Sequence, residues 1–206
     1  MRRPGFAPAL VLFAILVAHA VLETARDALF LSRLGPHHLA SAYLAMAACA
    51  VGSVLVVRAL GIRNARSMLI RFLLCATAGT AVLAAAVTRS STAVFAFYVW
   101  TGFIITLVVP SFWAAIDRMS QIAEAKRVFG LIGAGGVLGA MTGSAIAGAL
   151  GRLVAASDLV TVGAAGFGLA TAAAAVLLPA ASPVDRAARR CRSVHGATWG
   201  CCSRSG

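Results

Sequence analysis

The chain has 206 residues, 61% of them hydrophobic and only 12% charged, and its mean hydropathy is +0.92. That composition excludes a soluble globular domain of this length and marks an integral membrane protein. A net charge of +12 from 18 basic and six acidic residues would otherwise suggest a nucleic-acid partner. The placement of the basic residues beside apolar segments makes that partner unnecessary.

A membrane-spanning helix needs about 20 mostly apolar residues, because every backbone N–H and C=O must be bonded internally where water is absent. Six stretches meet this requirement: 7–31, 39–57, 68–88, 93–116, 128–150 and 158–179. The expected fold class is therefore all-α, a polytopic membrane protein of six transmembrane helices over residues 1–180, followed by a basic tail over 181–206. The first stretch is too long for a removable signal peptide and lacks a small-residue cleavage site at its end, so it reads as a retained span.

That first span contains ETARDALF at residues 23–30. Its twelve Leu, Ile, Val and Phe residues between Leu10 and Leu31 each favour insertion by about 0.3–0.6 kcal/mol, whereas each central Arg or Asp opposes it by about 2.5–3.5. Facing lipid, Glu23, Arg26 and Asp27 would cancel the gain, so they are expected to face the bundle interior or water. At 100° per residue His19, Glu23, Arg26 and Asp27 fall within an arc of about 100°. Arg26 reaches back to Glu23 at i−3. A line of ionisable groups on one face of a spanning helix points to a substrate or ion pathway, with a helix-locking ion pair as the alternative.

The fourth span carries Pro110 near its end, where a kink is expected. Its Tyr98 and Trp100, like Trp113, fit anchoring at the membrane interface about as well as contact with a ligand. In the fifth span, GLIGAGGVLGAMTGSAIAG places Gly135, Gly139 and Gly143 four residues apart, the pattern of a small-residue face that lets another helix approach closely. With no strand before it and no GKS or GKT after it, this is not a phosphate loop. The tail holds Cys191, His195, Cys201 and Cys202 in a spacing that matches no zinc module, and it breaks sharply with the preceding composition. No cofactor or metal is expected.

Orientation follows from the basic residues. Fourteen lie before the first span, in the second and fourth connections or after the sixth span, while Arg33, Arg89 and Arg152 are alone in the other three loops. Because arginine and lysine in short loops stay on the cytoplasmic side, both termini are expected in the cytoplasm, with the protein in the inner (plasma) membrane.

Two motifs then resemble a known family. Arg26, Asp27, Ala28 and Leu29 are similar to the first-helix motif of the bacterial and plastid ATP/ADP translocases. FWAAID followed by EAKRVFGLIGAGGVLG resembles that family's Phe-Trp close of helix 4 and its Glu-Ala-Lys-Arg loop. The resemblance covers residues 10–180. It implies the first half of a major-facilitator-like carrier, built as two six-helix halves, with the second half supplied by further sequence or a second copy. It assigns Arg26 the place of the family's first-helix cation, Glu124 and Lys126 those of its loop charges, and Arg127 a neighbouring one. Arg26 stands where the family commonly has lysine, and VFG replaces its more aromatic, proline-containing continuation. Guanidinium and ammonium groups suit phosphate-bearing solutes, so the expected substrate is a nucleotide or another organic anion. The partners are membrane lipid and the second half; no nucleic acid is expected. The alternative is a non-transporting six-helix scaffold, sensor or degenerate carrier fragment. An enzyme is not supported by any catalytic motif.

Overall fold

The computed structural model describes residues 5–59, 65–117 and 125–178. Six α-helices account for nearly all of them: α1 Phe6–Arg33, α2 Leu39–Ala59, α3 Ala65–Ala86, α4 Ser91–Asp117, α5 Ala125–Leu150 and α6 Ala156–Leu177. The all-α expectation holds, and the helices extend the expected spans by a few residues at most ends. All but α2 are long and apolar enough over their described residues to cross a membrane. α2 is a 21-residue helix rich in Ala, Val and Leu. The expected tail boundary, with Cys191, His195, Cys201 and Cys202, lies outside the described residues.

Local chemistry sets the turns. α1 closes when the Leu34 N–H donates to the Phe30 carbonyl, and Gly35 then adopts φ 74° ahead of the short turn Pro36–His38. That left-handed value suits glycine, which lacks a Cβ to clash. Before α4, the Ser90 hydroxyl accepts the Ala93 N–H at 3.1 Å, a side-chain cap for one of the donors a helix start leaves open. α4 runs unbroken through Pro110.

α1 is the hub. It packs most extensively on α5 and α6 and also against α4; α3 packs on α6 and α4, and α2 on α4. Every one of these pairs maps onto another, or onto itself, when α1 is exchanged with α4, α2 with α5 and α3 with α6. The pattern of which helices touch is thus shared by two triplets, α1–α3 and α4–α6. Three being an odd number, the second triplet runs in the opposite sense to the first.

Glycine sets how closely the helices approach. A Cβ on Gly135, Gly139 or Gly143 would lie 2.8, 2.5 or 2.5 Å from the backbone oxygen of Ala9, Phe13 or Val17. The expected small-residue face is therefore the contact surface of α5 with α1. The numbers rise together along both chains, so α1 and α5 run parallel. On the other side, Gly163 of α6 accommodates Leu22 and Gly166 faces Ala18, an antiparallel register.

Two arginines tie helix ends together. Arg66 donates from Nε to the Leu178 carbonyl at 3.0 Å and from Nη2 to the Ala175 carbonyl at 2.8 Å, satisfying carbonyls that the end of α6 leaves without helical partners. At the other end of the bundle, Arg33 Nη1 donates to the carbonyls of Val87 and Thr88 at 3.2 and 3.3 Å. Both residues served in the sequence only as markers of sidedness.

Candidate functional site

The midpoint of α1 falls at His19 and Ala20, so the ionisable line begins at the centre of the span and climbs toward its Arg33 end. Successive steps of three or four residues bring these side chains together. His19 Nε2 lies 3.9 Å from Glu23 Oε2, Arg26 Nη2 lies 3.6 Å from Glu23 Oε1, and Arg26 Nε donates to Asp27 Oδ1 at 2.9 Å. Arg26 is thus held unequally, firmly by Asp27 and loosely by Glu23.

Exposure divides the cluster. The side chains of Arg26 and His19 are 11% and 12% exposed, whereas those of Glu23 and Asp27 are 49% and 53% exposed. The guanidinium and the imidazole point inward; the carboxylates do not. Of the expected alternatives, bundle interior or water, Arg26 takes the first, while Glu23 and Asp27 with Leu31 form a strip on the side of α1 that α4, α5 and α6 leave open. A carboxylate on acyl chains at the centre of a span costs about 2.5–3.5 kcal/mol, and Glu23 and Asp27 stand about 5 and 11 Å from the α1 midpoint. Cover by water or a polar partner would lower that cost.

The aromatic residues complete the site. The Arg26 guanidinium carbon sits 4.4 Å from the centre of the Tyr98 ring, in cation–π range. Tyr98 also packs on Phe30, centroids 4.4 Å apart, and meets Tyr43 of α2 edge-on at 6.3 Å. Tyr98 is buried, which corrects its expected place as an interfacial anchor: it is the floor under Arg26. Trp100 likewise turns inward, donating from Nε1 to Thr80 Oγ1 at 3.2 Å. His19 Nδ1 is buried with no hydrogen-bond partner. Among the described residues no group of three His, Cys, Asp or Glu is placed to hold a metal ion.

The remaining predicted site residues are elsewhere. Glu124 lies outside the described residues; Lys126 and Arg127 belong to the first turn of α5 by their backbone, their side chains being outside the described set. Because Gly139 faces Phe13 in parallel register, Lys126 stands thirteen positions below that level and Arg26 thirteen above. At 1.5 Å per residue the two are about 39 Å apart along the bundle. The five of these residues whose backbone is described, Glu23, Arg26, Asp27, Lys126 and Arg127, thus fall at two levels, not one. Gly135, Gly139 and Gly143 line neither; they hold α5 to α1.

No protein-family model, curated protein or solved structure matches the chain.

Tyr98 and Tyr43 were missed as site residues. A tyrosine and an arginine on different helices share no spacing signal. The one hint was that a buried arginine with its planar face needs an aromatic or carbonyl neighbour.

Proposed function

We propose that this chain is a membrane transporter, or the first half of one, that moves an organic anion, with nucleotides the leading candidates, by alternating access. The observation that carries the reading is the α1 cluster: a buried guanidinium about 10 Å from the α1 midpoint, held by two carboxylates and a tyrosine, with an imidazole behind Glu23, opening on a strip of exposed carboxylates. A helix lock requires two charges, both turned inward; here the carboxylates face out. The pairing of α1–α3 with α4–α6 supports the same reading, since inverted triplets are a recurring plan of transporter halves. A second six-helix unit, from a further half or a second copy, would cover the strip and enclose the cavity. Lys126 and Arg127 would then collect the anion at the cytoplasmic mouth, and Arg26 would receive it within the span. Nucleotide as the solute rests on the resemblance of RDAL, FWAAID and EAKR to the ATP/ADP translocases.

Exchange decides it. Full-length chain in lipid vesicles loaded with labelled ATP is expected to release label when ADP is supplied outside, more slowly as salt rises and screens the attraction, and not for amino acids or sugars. Exchange of a neutral or cationic solute alone would end the anion reading. No exchange of any solute by correctly inserted protein would favour the scaffold.

The proposed orientation places both termini on the cytoplasmic side of the plasma membrane. Single-cysteine labelling is expected to find positions 63, 126 and 189 accessible from the cytoplasm and positions 37 and 158 from outside. Labelling of position 126 from outside would invert the arrangement.

A further inference from the structure

The charges of the α1 cluster do not balance. Arg26 contributes one positive charge and Glu23 and Asp27 two negative ones, leaving an excess of one negative beside His19 within a membrane span. The excess belongs to Glu23, because Asp27 holds the Arg26 Nε at 2.9 Å while Glu23 stands 3.6 Å from Nη2. Glu23 is half exposed on the open strip, within reach of protons from water. Its other oxygen faces His19 Nε2 at 3.9 Å, and the far nitrogen of that ring, Nδ1, is buried without a partner. A neutral imidazole has one bare nitrogen; with the N–H on Nδ1, the bare Nε2 faces Glu23 and can share a proton with that carboxylate.

No other titratable side chain replaces this pair. α4 brings Tyr98, with Tyr43 of α2 behind it, and has its carboxylate, Asp117, in its last turn. α5 has no titratable residue from Val128 to Leu150, and α6 has only Asp158, exposed in its first turn.

We propose that Glu23 and His19 together hold one transported proton, and that its arrival releases Arg26 to bind an anionic group, making the carrier a proton–anion symporter. The inference rests on the anion-transport reading above. In the step, a proton from the open strip bonds to Glu23 Oε2, on the side that faces His19 Nε2, and the neutralised carboxyl gives up the contact of Oε1 with Arg26 Nη2. Nη2 then turns to a phosphate or carboxylate oxygen while Nε stays on Asp27, and Tyr98 keeps the guanidinium plane in place. When the anion leaves, the proton is lost to water, and Glu23 closes again on Arg26. Falling pH thus raises anion affinity; rising pH lets the carboxylate compete.

The chain has two glutamates, Glu23 and Glu124, so full-length protein labelled with [13C]glutamate in lipid nanodiscs gives two side-chain carboxyl resonances, assigned with Glu124→Gln. Inorganic phosphate is the probe. Its addition at fixed pH is expected to shift Glu23 toward the protonated form, and its affinity to fall about tenfold for each pH unit above the Glu23 midpoint, as one linked proton requires. Glu23→Gln should bind at every pH like the protonated wild type, leaving only the titration of phosphate itself. Glu23→Asp keeps an acid and should keep the pH dependence. Arg26→Gln should lose the phosphate response while Glu23 still titrates. Identical pH dependence in wild type and Glu23→Gln overturns the coupling and leaves anion binding standing. Phosphate binding undiminished in Arg26→Gln overturns the role of Arg26. Binding by neither wild type nor Glu23→Gln at any pH overturns the anion reading and the coupling with it.

Discussion

Replacing Gly139 with leucine should separate α1 from α5 at a large cost in stability, matched on the glycine face by the same change at Gly143. Even the first added carbon would stand 2.5 Å from the Phe13 carbonyl oxygen and 2.9 Å from its Cα. These are backbone atoms of a helix held on its far side by α6, so no rotamer change relieves the clash. Overpacking in cores costs about 1–3 kcal/mol, and a backbone neighbour places this site at or above the top of that range. Gly148 of the same helix is the control, since nothing lies within 4 Å of an added Cβ there. Gly148→Leu should change stability by no more than about 0.5 kcal/mol. Unfolding in a detergent titration, followed by tryptophan fluorescence, measures both. Equal losses at the two positions would show that the glycine face is not the α1–α5 contact.

Removing both counter-charges of Arg26 should be the other severe change. In Glu23→Gln with Asp27→Asn, a guanidinium whose side chain is 11% exposed retains only the face of Tyr98. Stranding a buried charge costs about 3–5 kcal/mol, and the cation–π contact with Tyr98, present before and after the change, does not offset the loss. Glu23→Gln alone is milder, because Asp27 keeps its 2.9 Å hydrogen bond. Adding Arg26→Met to the double change should recover most of the stability, since a flexible apolar side chain can fill the space over Tyr98. The triple variant would then be more stable than the double one and inactive in exchange. A double variant as stable as wild type would show that Arg26 reaches water by itself.

What could be read from the sequence was whatever repeats along a single helix. The spans follow from runs of apolar residues, the α1–α5 contact face from glycines four apart, and the Arg26–Glu23 contact from an i−3 spacing. Contacts between helices carry no such period. Tyr98 looked like an anchor because tyrosines favour membrane interfaces, yet the crossing of α4 with α1 places it beneath Arg26. Arg66 looked like a topology signal until the end of α6 was seen beside it. The outward turn of Glu23 and Asp27 was hidden for a related reason. Periodicity gathers residues on one face of a helix, and only the neighbouring helices decide whether that face is covered.

The place of α1 at the hub has a consequence for the order of synthesis. Its two main partners are the fifth and sixth of the six helices in chain order: 117 residues separate Arg33 from Leu150, where α5 ends. At 5–20 residues per second, α1 waits about 6–23 s for α5 to be completed, and longer for α6. Its four ionisable groups do not wait, because each lies within four residues of another along the same helix. Arg26 can meet Asp27 and Glu23 as soon as the helix forms, so the segment enters the bilayer already partly neutralised. Tyr98 arrives later, with α4, to fix an arrangement that α1 has made alone.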